Sequence, residues 1–493
     1  MFPQFSLQYS RLPERFYQHF EPAPVKRPRL IAFNRGLAEQ LGFDLSAYPG
    51  DDKAAEYFAG NLIPPGAEPL AQAYAGHQFG GFVPQLGDGR AVLLGEVLDR
   101  NGCLRDIQLK GAGRTPFSRG GDGRAPLGPV LREYVVSEAM HALGIPTTRA
   151  LAAVSTGEHV YREIPMPGGI LTRVAASHIR VGTFEYFAAR GDLEGLKRLA
   201  DHVIARHYPS LASLADDQRY LALVENVQLQ QARLIARWMG VGFIHGVMNT
   251  DNTSTAGETI DYGPCAFMEK YDPRTVFSSI DQNGRYAYGN QPAIGQWNIA
   301  RFAETLLPLI DSDQHRAIER ATELIQRFPA LYRAEWLAVM RAKLGLCRDD
   351  KEDFALAEAL LAAMHSGRAD FTLTFRRLCD CAESPAHDEP LLALFEQAQA
   401  VEAWLPRWRE RLTEEPASAA EVADRMRRTN PFYIPRNHLV EHMIEAAIER
   451  DDYLPLHRLN EVLARPFDEQ PGRERYAQPA TPQEQVYRTF CGT

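Results

Sequence analysis

The first part of the chain alternates short apolar runs with glycine-containing turns. Up to about residue 182, Asp-Gly, Asn-Gly, Thr-Gly and Gly-Gly pairs separate several apolar segments. Asn101-Gly102 lies between two of them and is a strong signal for a hairpin, which pairs its strands antiparallel. We therefore predict a mostly antiparallel sheet and exclude a doubly wound one. The predicted strands are 90–98, 104–109, 149–154, 159–164 and 170–175.

One long helix interrupts these strands. It can begin at Pro129, because proline suits the first position of a helix, and no breaker follows before Leu143. Gly144 and Pro146 then provide a stop signal. The first 182 residues thus predict an antiparallel sheet that carries one substantial helix.

Helical periodicity dominates after residue 183. The longest pattern runs from Asp217 to Met239, places its apolar side chains on one face and ends at Gly240. Residues 243–295 break the pattern, because they are irregular, glycine-rich and aromatic, a composition typical of functional loops. Further helices are predicted near 296–307, 314–328, 331–344, 352–364, 391–405, 417–428, 437–450 and 455–464.

These patterns predict an α+β protein with two lobes. We expect residues 1–182 to form an N-terminal segment and a sheet lobe. Residues 183–464 are expected to form a helical lobe that contains the functional loops of 243–295 and a helical extension. Residues 465–493 are expected to form an extended tail. A small antiparallel sheet with one helix, followed by a larger helical lobe, is the order of elements in a protein kinase, although many α+β enzymes share it.

Composition and charge narrow the choice of partners. The 493 residues are 45% hydrophobic and 24% charged, the balance of a folded soluble protein. The formal net charge of −9 argues against nucleic acid or an anionic membrane as the main partner, so a phosphate ligand would need a local basic cluster. The sequence has no membrane-spanning run and no secretory signal at its start. Six cysteines do not make a disulfide scaffold in a chain of this length, so we expect a cytoplasmic protein with largely reduced thiols.

A glycine turn before the first predicted strand is one candidate for such a cluster. Gly87 and Gly89 would let the backbone approach phosphate oxygens closely, and Arg90 adds a positive charge. For the two glycines alone, an ordinary hairpin turn is the favoured interpretation.

A second basic group lies between a strand and the predicted helix. Residues 114–124 contain three arginines, three hydroxyl or acidic groups and three glycines, which suits a loop that folds over an anion. A flexible exposed loop is the alternative interpretation. Arg173 and Arg180 flank the predicted end of the sheet and extend the cluster.

A lysine and a glutamate match two parts of a kinase-like nucleotide site. Residues 106–110 alternate apolar and polar positions, and Lys110 closes this strand. In kinases such a lysine contacts the nucleotide phosphates, and a glutamate from a nearby helix orients it. The predicted helix offers Glu133, about one turn from its start, and Glu138. Since surface Lys–Glu pairs are common, this pair alone decides nothing.

The kinase catalytic loop has a counterpart after residue 244. His245 and Asn252 keep the spacing of the H-R-D-x-x-x-x-N motif, in which the asparagine binds magnesium. Val247 stands where the proton-accepting aspartate should be. Asp261 begins D-Y-G, which matches the D-F-G element whose aspartate holds the metal. Few folds share this order of elements, so the sequence favours a kinase-like ATP site.

At these positions the chain resembles the selenoprotein O family of protein adenylyltransferases, once regarded as pseudokinases. The resemblance covers nearly the whole chain and rests on long, specific strings. These strings are 74–80, 108–119, 245–252, 261–264, 430–431 and 434–437.

The resemblance implies that AMP is transferred from ATP to Ser, Thr or Tyr hydroxyls of proteins, with ATP bound in reverse relative to kinases. Carried over by position, Asp251 would accept the proton and Glu133 would orient Lys110. Asn252 and Asp261 would bind Mg²⁺ or Mn²⁺. The nucleotide would be bound by Gly87, Gly89, Arg90, Lys110, Asp122, Gly123, Arg173, Arg180 and Asp261.

Alternatives to this reaction stay open at the level of residues. A phosphotransferase could use Asp251 as its base, and UTP could replace ATP. A catalytically inactive, redox-responsive ATP-binding scaffold is disfavoured, because it has little need for two metal ligands. A self-contained site needs no second subunit, so we expect a monomer.

Two smaller signals complete the sequence. The resemblance implies that Cys491 can pair with Cys265 as a redox gate, and two free thiols are the alternative. His438-Leu-Val-Glu-His442 fits a zinc-peptidase pattern, but it lacks a third ligand from elsewhere, so we do not predict zinc.

Overall fold

A large antiparallel sheet is the main feature of the first 175 residues in the computed structural model, which describes residues 2–490. Its path of paired strands is β2-β4-β7-β8-β11-β10-β3, with β1 added beside β7 and β9 beside β11. The strands, in chain order, are β1 (Phe5–Ser6), β2 (Tyr17–His19), β3 (Arg29–Phe33), β4 (Leu70–Gln72), β5 (Gly76–Gln78), β6 (Gly81–Val83), β7 (Ala91–Leu98), β8 (Leu104–Lys110), β9 (Ala125–Pro126), β10 (Arg149–Tyr161), β11 (Pro165–Ala175), β12 (Phe243–Ile244) and β13 (Ala266–Phe267).

The predicted hairpins are present, with one correction. Strands β7 and β8 pair antiparallel around Asn101-Gly102, which confirms the prediction there. The segments 149–154 and 159–164 were expected as two strands, but β10 is continuous. The register between β10 and β11 shifts between Ser155 and His159, so a bulge absorbs the extra residues and pairing resumes.

The helices of the first part include the predicted one and two more. Helix α3 (Leu127–Ala142) matches the expected long helix within two residues at its start. Helices α1 (Arg35–Gln40) and α2 (Asp51–Phe58) were not predicted. They are six and eight residues long, too short to display a repeated helical period in the sequence. Their side chains, with Phe58 fully buried, pack on the face of the sheet opposite α3.

Helices make up most of the chain after residue 180. The expected 23-residue pattern is confirmed as α6, which extends to Val241 and ends at Gly242 rather than Gly240. The helices are α4 (Val181–Ala188), α5 (Leu193–His207), α6 (Asp216–Val241), α7 (Gln291–Ile310), α8 (Gln314–Ile325), α9 (Phe328–Lys343), α10 (Asp353–Ser366), α11 (Phe371–Glu383), α12 (Glu389–Leu392), α13 (Gln399–Leu412), α14 (Ala419–Thr429), α15 (Asn437–Arg450) and α16 (Leu454–Leu463).

The helix predicted over 391–405 is wrong. The chain leaves the helical path between α12 and α13, because Glu396 N donates to the carbonyl of Gly367, at the end of α10. This bond joins positions 29 residues apart, so no local pattern announces it. Helices α4, α5 and α11 were also missed.

Two hydrophobic cores show how the sheet part and the helical part of the chain pack together. The main helical core is built around α6, whose Leu223, Val227, Leu234 and Trp238 are buried as the pattern predicted. A second core lies between the sheet, α3, α15 and α16, so the C-terminal helices fold back onto the first part of the chain. The described chain is therefore α+β and consistent with two lobes.

The last described residues also return to the rest of the molecule. Between α16 and residue 490 the chain forms one 3-10 turn, Glu474–Tyr476. Thr489 then pairs with the backbone of Phe277 and Ser279, and its hydroxyl donates to the carbonyl of Pro264. Within residues 2–490, no helix has the length and apolar character required to cross a membrane.

Candidate active site

A cleft of about 490 Å³ lies between the sheet and the loops that follow α6. The structure brings into its lining almost every residue singled out from the sequence. Glu133 is the exception and lies behind Lys110 on α3. The predicted residues in the lining are Gly87, Gly89, Arg90, Lys110, Asp122, Gly123, Arg173, Arg180, Asp251, Asn252 and Asp261.

Lys110 is bonded to two carboxylates at the floor of this cleft. It ends β8, where it pairs with Leu171 of the neighbouring strand. Its Nζ donates to Glu133 Oε2 at 2.5 Å and also to Asp261. The lysine and both carboxylates are largely buried, so the strand, α3 and the D-Y-G loop hold one another in a fixed arrangement. Glu138, the other candidate of this helix, instead binds Arg149.

Positive charge dominates around Asp261. Burial by itself would raise the pKa of this carboxyl, but Lys110 and Arg90 outweigh burial and hold the pKa well below its usual range. Arg173 contributes to the same effect and lies 3.4 Å from Glu133 Oε1. Asp261 is therefore an anion, and its backbone φ of 68° is unusual for a residue other than glycine.

Asp251 presents a carboxylate oxygen without a partner. Its Oδ2 accepts from Gln78 Nε2 at 3.0 Å, whereas Oδ1 is buried and has no hydrogen-bond partner within the described part of the chain. Burial raises the pKa of Asp251 to about 6. The guanidinium of Arg180 donates to the backbone carbonyl of Asp251 at 3.0 Å and fixes the loop that carries it.

Asn252 is oriented by the backbone of Val247. Its Nδ2 donates to the carbonyl of Val247 at 3.0 Å, so the amide oxygen is the group left for a ligand. The Val247 side chain lines the cleft and offers it only an apolar surface.

Oxygen atoms suited to a divalent cation therefore meet in this cleft. Asp261 provides a carboxylate, Asn252 an amide oxygen, and Asp251 the unpartnered Oδ1. Carboxylate and amide oxygens are the ligands that Mg²⁺ and Mn²⁺ prefer. The residues fit such an ion. Within residues 2–490, the cleft included, His, Cys, Asp and Glu form no group of three placed to hold a metal, so an ion held there would rely on the Asn252 amide as well as carboxylates.

The glycine turn and the loop 114–124 form one unit. Gly87 has φ 81°, and a Cβ there would lie 2.4 Å from the ring of Phe117, so no other residue fits. Thr115 Oγ1 donates to the carbonyl of Asp88 at 2.7 Å, and Ser118 Oγ donates to that of Gly89. The loop is thus bonded to the turn through Thr115 and Ser118, while Arg114, Pro116 and residues 119–122 are exposed.

Asp122 lies at the mouth of the cleft, where it pairs with Arg162 at 2.9 Å. Arg119, Arg124 and Arg162 also line the cleft, so its basic side chains outnumber its acidic ones. Sequence reasoning gave Arg162 no role. It lies just after β10, in a segment without any motif, and only the fold brings it to the site.

Sequence reasoning also missed the side chains that hold the catalytic loop. Gln78 binds Asp251, and His77 N donates to Thr250 Oγ1 at 2.6 Å. Glu185 of α4 accepts from the Thr250 hydroxyl at 2.5 Å. Residues 74–80 are one of the strings that carry the family resemblance, so the sequence marked this segment. It did not indicate which side chains of the segment contact the loop around Asp251.

Cys265 is buried directly after the D-Y-G-P segment, and burial raises the pKa of its thiol to about 12. The proposed partner, Cys491, lies outside the described residues. Their pairing stays a prediction.

Comparisons with known proteins agree on one family. Residues 2–464 match the family model described as protein adenylyltransferase SelO. The protein nucleotidyltransferase YdiU of Rhizobium meliloti (strain 1021) is 59% identical over 490 residues, which cover 99% of each chain. The proteins of the same name from Bradyrhizobium sp. (strain BTAi1) and Rhodopseudomonas palustris (strain BisB5) are 60% and 59% identical over 489 residues, again covering 99% of each chain.

Proposed function

Because this chain belongs to the SelO family of protein adenylyltransferases, we propose that its cleft transfers AMP from ATP to Ser, Thr or Tyr hydroxyls of protein substrates. The protein is a nucleotidyltransferase, and ATP is its substrate. The proposal concerns which residues perform the reaction and which groups receive the nucleotide.

One observation carries the proposal. Lys110, held between Glu133 and Asp261, lies in the same basic cleft as Asp251, whose Oδ1 is unpartnered. This combination offers a phosphate-binding cation, a metal-binding anion and a proton acceptor within one site. We also propose that the two lobes are kinase-like, since the order of these residues along the chain matches that of a kinase.

The nucleotide is proposed to lie with its phosphates on the basic side of the cleft. Lys110, Arg173 and Arg180 provide charge at the floor, and the turn at Gly87 and Gly89 brings the backbone close. Negative charge grows on the departing pyrophosphate, and fixed guanidinium groups stabilise such charge without reorganising. We further assign the residues of the mouth, Asp122, Gly123 and their neighbouring arginines, to the nucleotide.

Asp261 and Asn252 are proposed to hold Mg²⁺ or Mn²⁺. When bound, the ion supplies positive charge that neutralises the phosphates and favours attack at phosphorus. The acceptor hydroxyl attacks the α-phosphorus and gives its proton to Asp251. A P–O bond forms to the hydroxyl oxygen, the bond between the α-phosphorus and the bridging oxygen breaks, and pyrophosphate leaves with that electron pair.

A labelling experiment tests which group moves. The full chain is incubated with acceptor proteins and Mg²⁺ or Mn²⁺, and with ATP labelled at either the α- or the γ-phosphate. We expect the α-label alone to enter protein, and mass spectrometry to place AMP on Ser, Thr or Tyr side chains. Incorporation of only the γ-label would instead establish the phosphotransferase alternative.

Two variants test the assigned residues. Asp261→Ala and Lys110→Ala should each abolish transfer, because they remove the metal ligand and the phosphate contact. Circular dichroism and thermal midpoints check that the variants are folded. Retained transfer in either folded variant contradicts the assignment.

A further inference from the structure

A small hairpin forms one wall at the mouth of the cleft. Strands β5 and β6 pair so that His77 lies opposite Phe82 and Gln78 opposite Gly81, and Phe79-Gly80 makes the turn. Gln78 and Phe79 line the cleft, and Gln78 binds the carboxylate of Asp251. The hairpin therefore borders the side of the cleft at which a hydroxyl must reach Asp251.

The turn of this hairpin has an uncommon residue in an uncommon conformation. Phe79 has φ 53° and Gly80 has φ 87°. Two-residue hairpin turns with positive φ at both positions strongly favour Asn, Asp or Gly, and a phenylalanine there is strained. Strained residues of this kind cluster at sites that contact ligands. Despite its size, the Phe79 side chain remains 38% exposed.

Contacts to the catalytic loop hold the strained turn in place. Phe79 N donates to Asn249 Oδ1 at 3.1 Å and to the Tyr286 hydroxyl at 3.2 Å. The Phe79 ring lies 5.1 Å from that of Tyr286, and the Tyr286 hydroxyl itself donates to Asn249. The tip is thus rigidly placed relative to the loop that carries Asp251, although its ring is presented to solvent.

Other exposed apolar groups adjoin this tip. Phe82 is 41% exposed and its ring lies 4.9 Å from His77. Ile280 is 56% exposed and lines the same cleft. The ring of Trp297 packs edge-on against His77 at 5.3 Å. Exposed apolar side chains gathered at one place on a folded protein mark contact sites for other molecules.

Positive charge accompanies the apolar groups. The Arg285 guanidinium lies 4.9 Å from the centre of the Trp297 ring and close to Gly80. Arg301 lies 5.1 Å from the same ring. Arg285 is partly exposed, and its buried Nε has no hydrogen-bond partner within residues 2–490.

Nearby carboxylates are already engaged. Asp281 accepts from the backbone N–H groups of Arg285 and Tyr286, and Glu304 pairs with Arg301. Glu185 binds His77 and Thr250. The surface is therefore suited to a carboxylate brought by another molecule.

We propose that Phe79, Phe82, Ile280, Arg285 and Trp297 form the acceptor-docking patch, which binds the protein substrate. The patch fits a segment that carries a large apolar side chain and a carboxylate close to the hydroxyl that receives AMP. The inference rests on the proposed function. It adds a preference for particular residue types on either side of the Ser, Thr or Tyr that receives AMP in the substrate. A protein is the occupant because the activity requires a polypeptide at this mouth, whereas the arginines assigned to the nucleotide line the cleft itself and do not include Arg285.

A peptide library tests the patch. Each peptide has one central Ser, Thr or Tyr with randomised flanking residues, and AMP transfer is measured from α-labelled ATP. We expect the wild type to enrich Asp, Glu and large apolar residues around the modified hydroxyl. Arg285→Glu should shift the preference from acidic to basic flanks by at least tenfold in relative kcat/KM, and Arg285→Lys should keep the wild-type preference. Phe82→Ala should weaken the apolar preference.

Two controls separate docking from chemistry. Arg274→Glu makes the same charge change at a highly exposed site outside the patch and should leave the preference unchanged. Stabilisation by ATP should be equal in the wild type and in Arg285→Glu. The docking inference is overturned if the wild type shows no acidic or apolar preference, or if Arg285→Glu and Phe82→Ala modify the same peptides as the wild type. If the wild type transfers no AMP to any peptide or protein, the proposed function fails as well.

Discussion

At the scale of single residues, the site depends on balanced buried charges. Lys110 lies between two carboxylates, and Arg173 lies next to one of them. Removing the lysine would leave Glu133 and Asp261 as neighbouring anions with little solvent to screen them. The lysine therefore both fixes the geometry of the cleft and helps to hold the pKa of Asp261 low, which keeps that carboxyl ionised.

The position of the proposed proton acceptor is the main difference from the kinase sequence motif. Val247 leaves an apolar side chain where a kinase has aspartate, and Asp251 lies four residues later in the same loop. Gln78 occupies one oxygen of Asp251 and leaves the other for a substrate. The aspartate of the kinase motif is thus absent here, and the proposed acceptor Asp251 is supported by Gln78.

Asp251→Asn tests this assignment. The amide keeps the size of the side chain but cannot accept a proton, so transfer should fall by about 10²–10⁴-fold. ATP should still raise the thermal midpoint, because the nucleotide contacts assigned to Lys110 and Arg173 are intact. The measurement is the initial rate of AMP incorporation into protein.

Asp272→Asn is the matched control, since Asp272 pairs with the exposed Arg274 outside the cleft. Its rate should equal that of the wild type. A wild-type rate in Asp251→Asn would show that the proton goes elsewhere.

At the scale of elements, a buried ion pair joins the C-terminal helices. Arg436, only 1% exposed and just ahead of α15, donates to both carboxylate oxygens of Asp370 at 2.6 and 3.1 Å. It also donates to the carbonyl of Ala477 at 2.9 Å. Asp370 caps α11 by accepting from Leu373 N. A single guanidinium thus connects α11, α15 and the tail.

Arg436→Met is expected to destabilise the fold strongly. The change leaves Asp370 buried without its counter-charge, and breaking a buried pair in this way costs about 3–5 kcal/mol. Thermal and denaturant midpoints should fall clearly. In Arg450→Met the exposed pair with Glu449 is lost, and the expected change is within about 0.5 kcal/mol. Similar midpoints for the two variants would contradict a stabilising role for the buried pair.

At the scale of the whole molecule, buried polar groups connect the sheet to α5 and to the segment that precedes α4. Asp106 of β8 accepts from the backbone and ring of His178, and from Arg206 of α5 at 2.5 Å. Glu96 of β7 lies 3.6 Å from the same arginine. His202 of α5 is partly buried close to this cluster, and its Nε2 atom is fully buried.

The histidines of this cluster make the fold sensitive to acid. Burial lowers the pKa of His202 to about 4, and the charge of Arg206 acts in the same direction while Asp106 opposes it. Burial likewise lowers the pKa of His178 to about 4. Because the folded state binds these protons less tightly than the unfolded state, stability falls as the pH drops from about 6.5 towards 4.

His202→Leu should reduce this sensitivity. The leucine cannot be protonated, so the variant should avoid about 3 kcal/mol of the destabilisation that the wild type suffers at pH 4. Thermal midpoints measured between pH 7 and pH 4 test the difference. The exposed His159→Leu is the control and should follow the wild type. Equal pH profiles for the two variants would contradict a neutral, buried His202.

The sequence by itself indicated the residues of the candidate site and determined much of the local structure. Lys110, Glu133, Asn252 and Asp261 could be selected because their order and residue types carry their chemistry. The hairpin at Asn101-Gly102 and the helices α3 and α6 followed from local periodicity and turn residues, which need no information from distant parts of the chain.

The tertiary structure decided what distant contacts control. The break between α12 and α13 depends on a bond to Gly367, and the loop 114–124 is ordered by bonds to the turn at Gly89. Gln78 reaches Asp251 across 173 residues of sequence, so the free oxygen of Asp251 and the patch beside it appear only in the folded chain. Such hydrogen bonds are selected by the packing of whole elements, and no local pattern of residues records them.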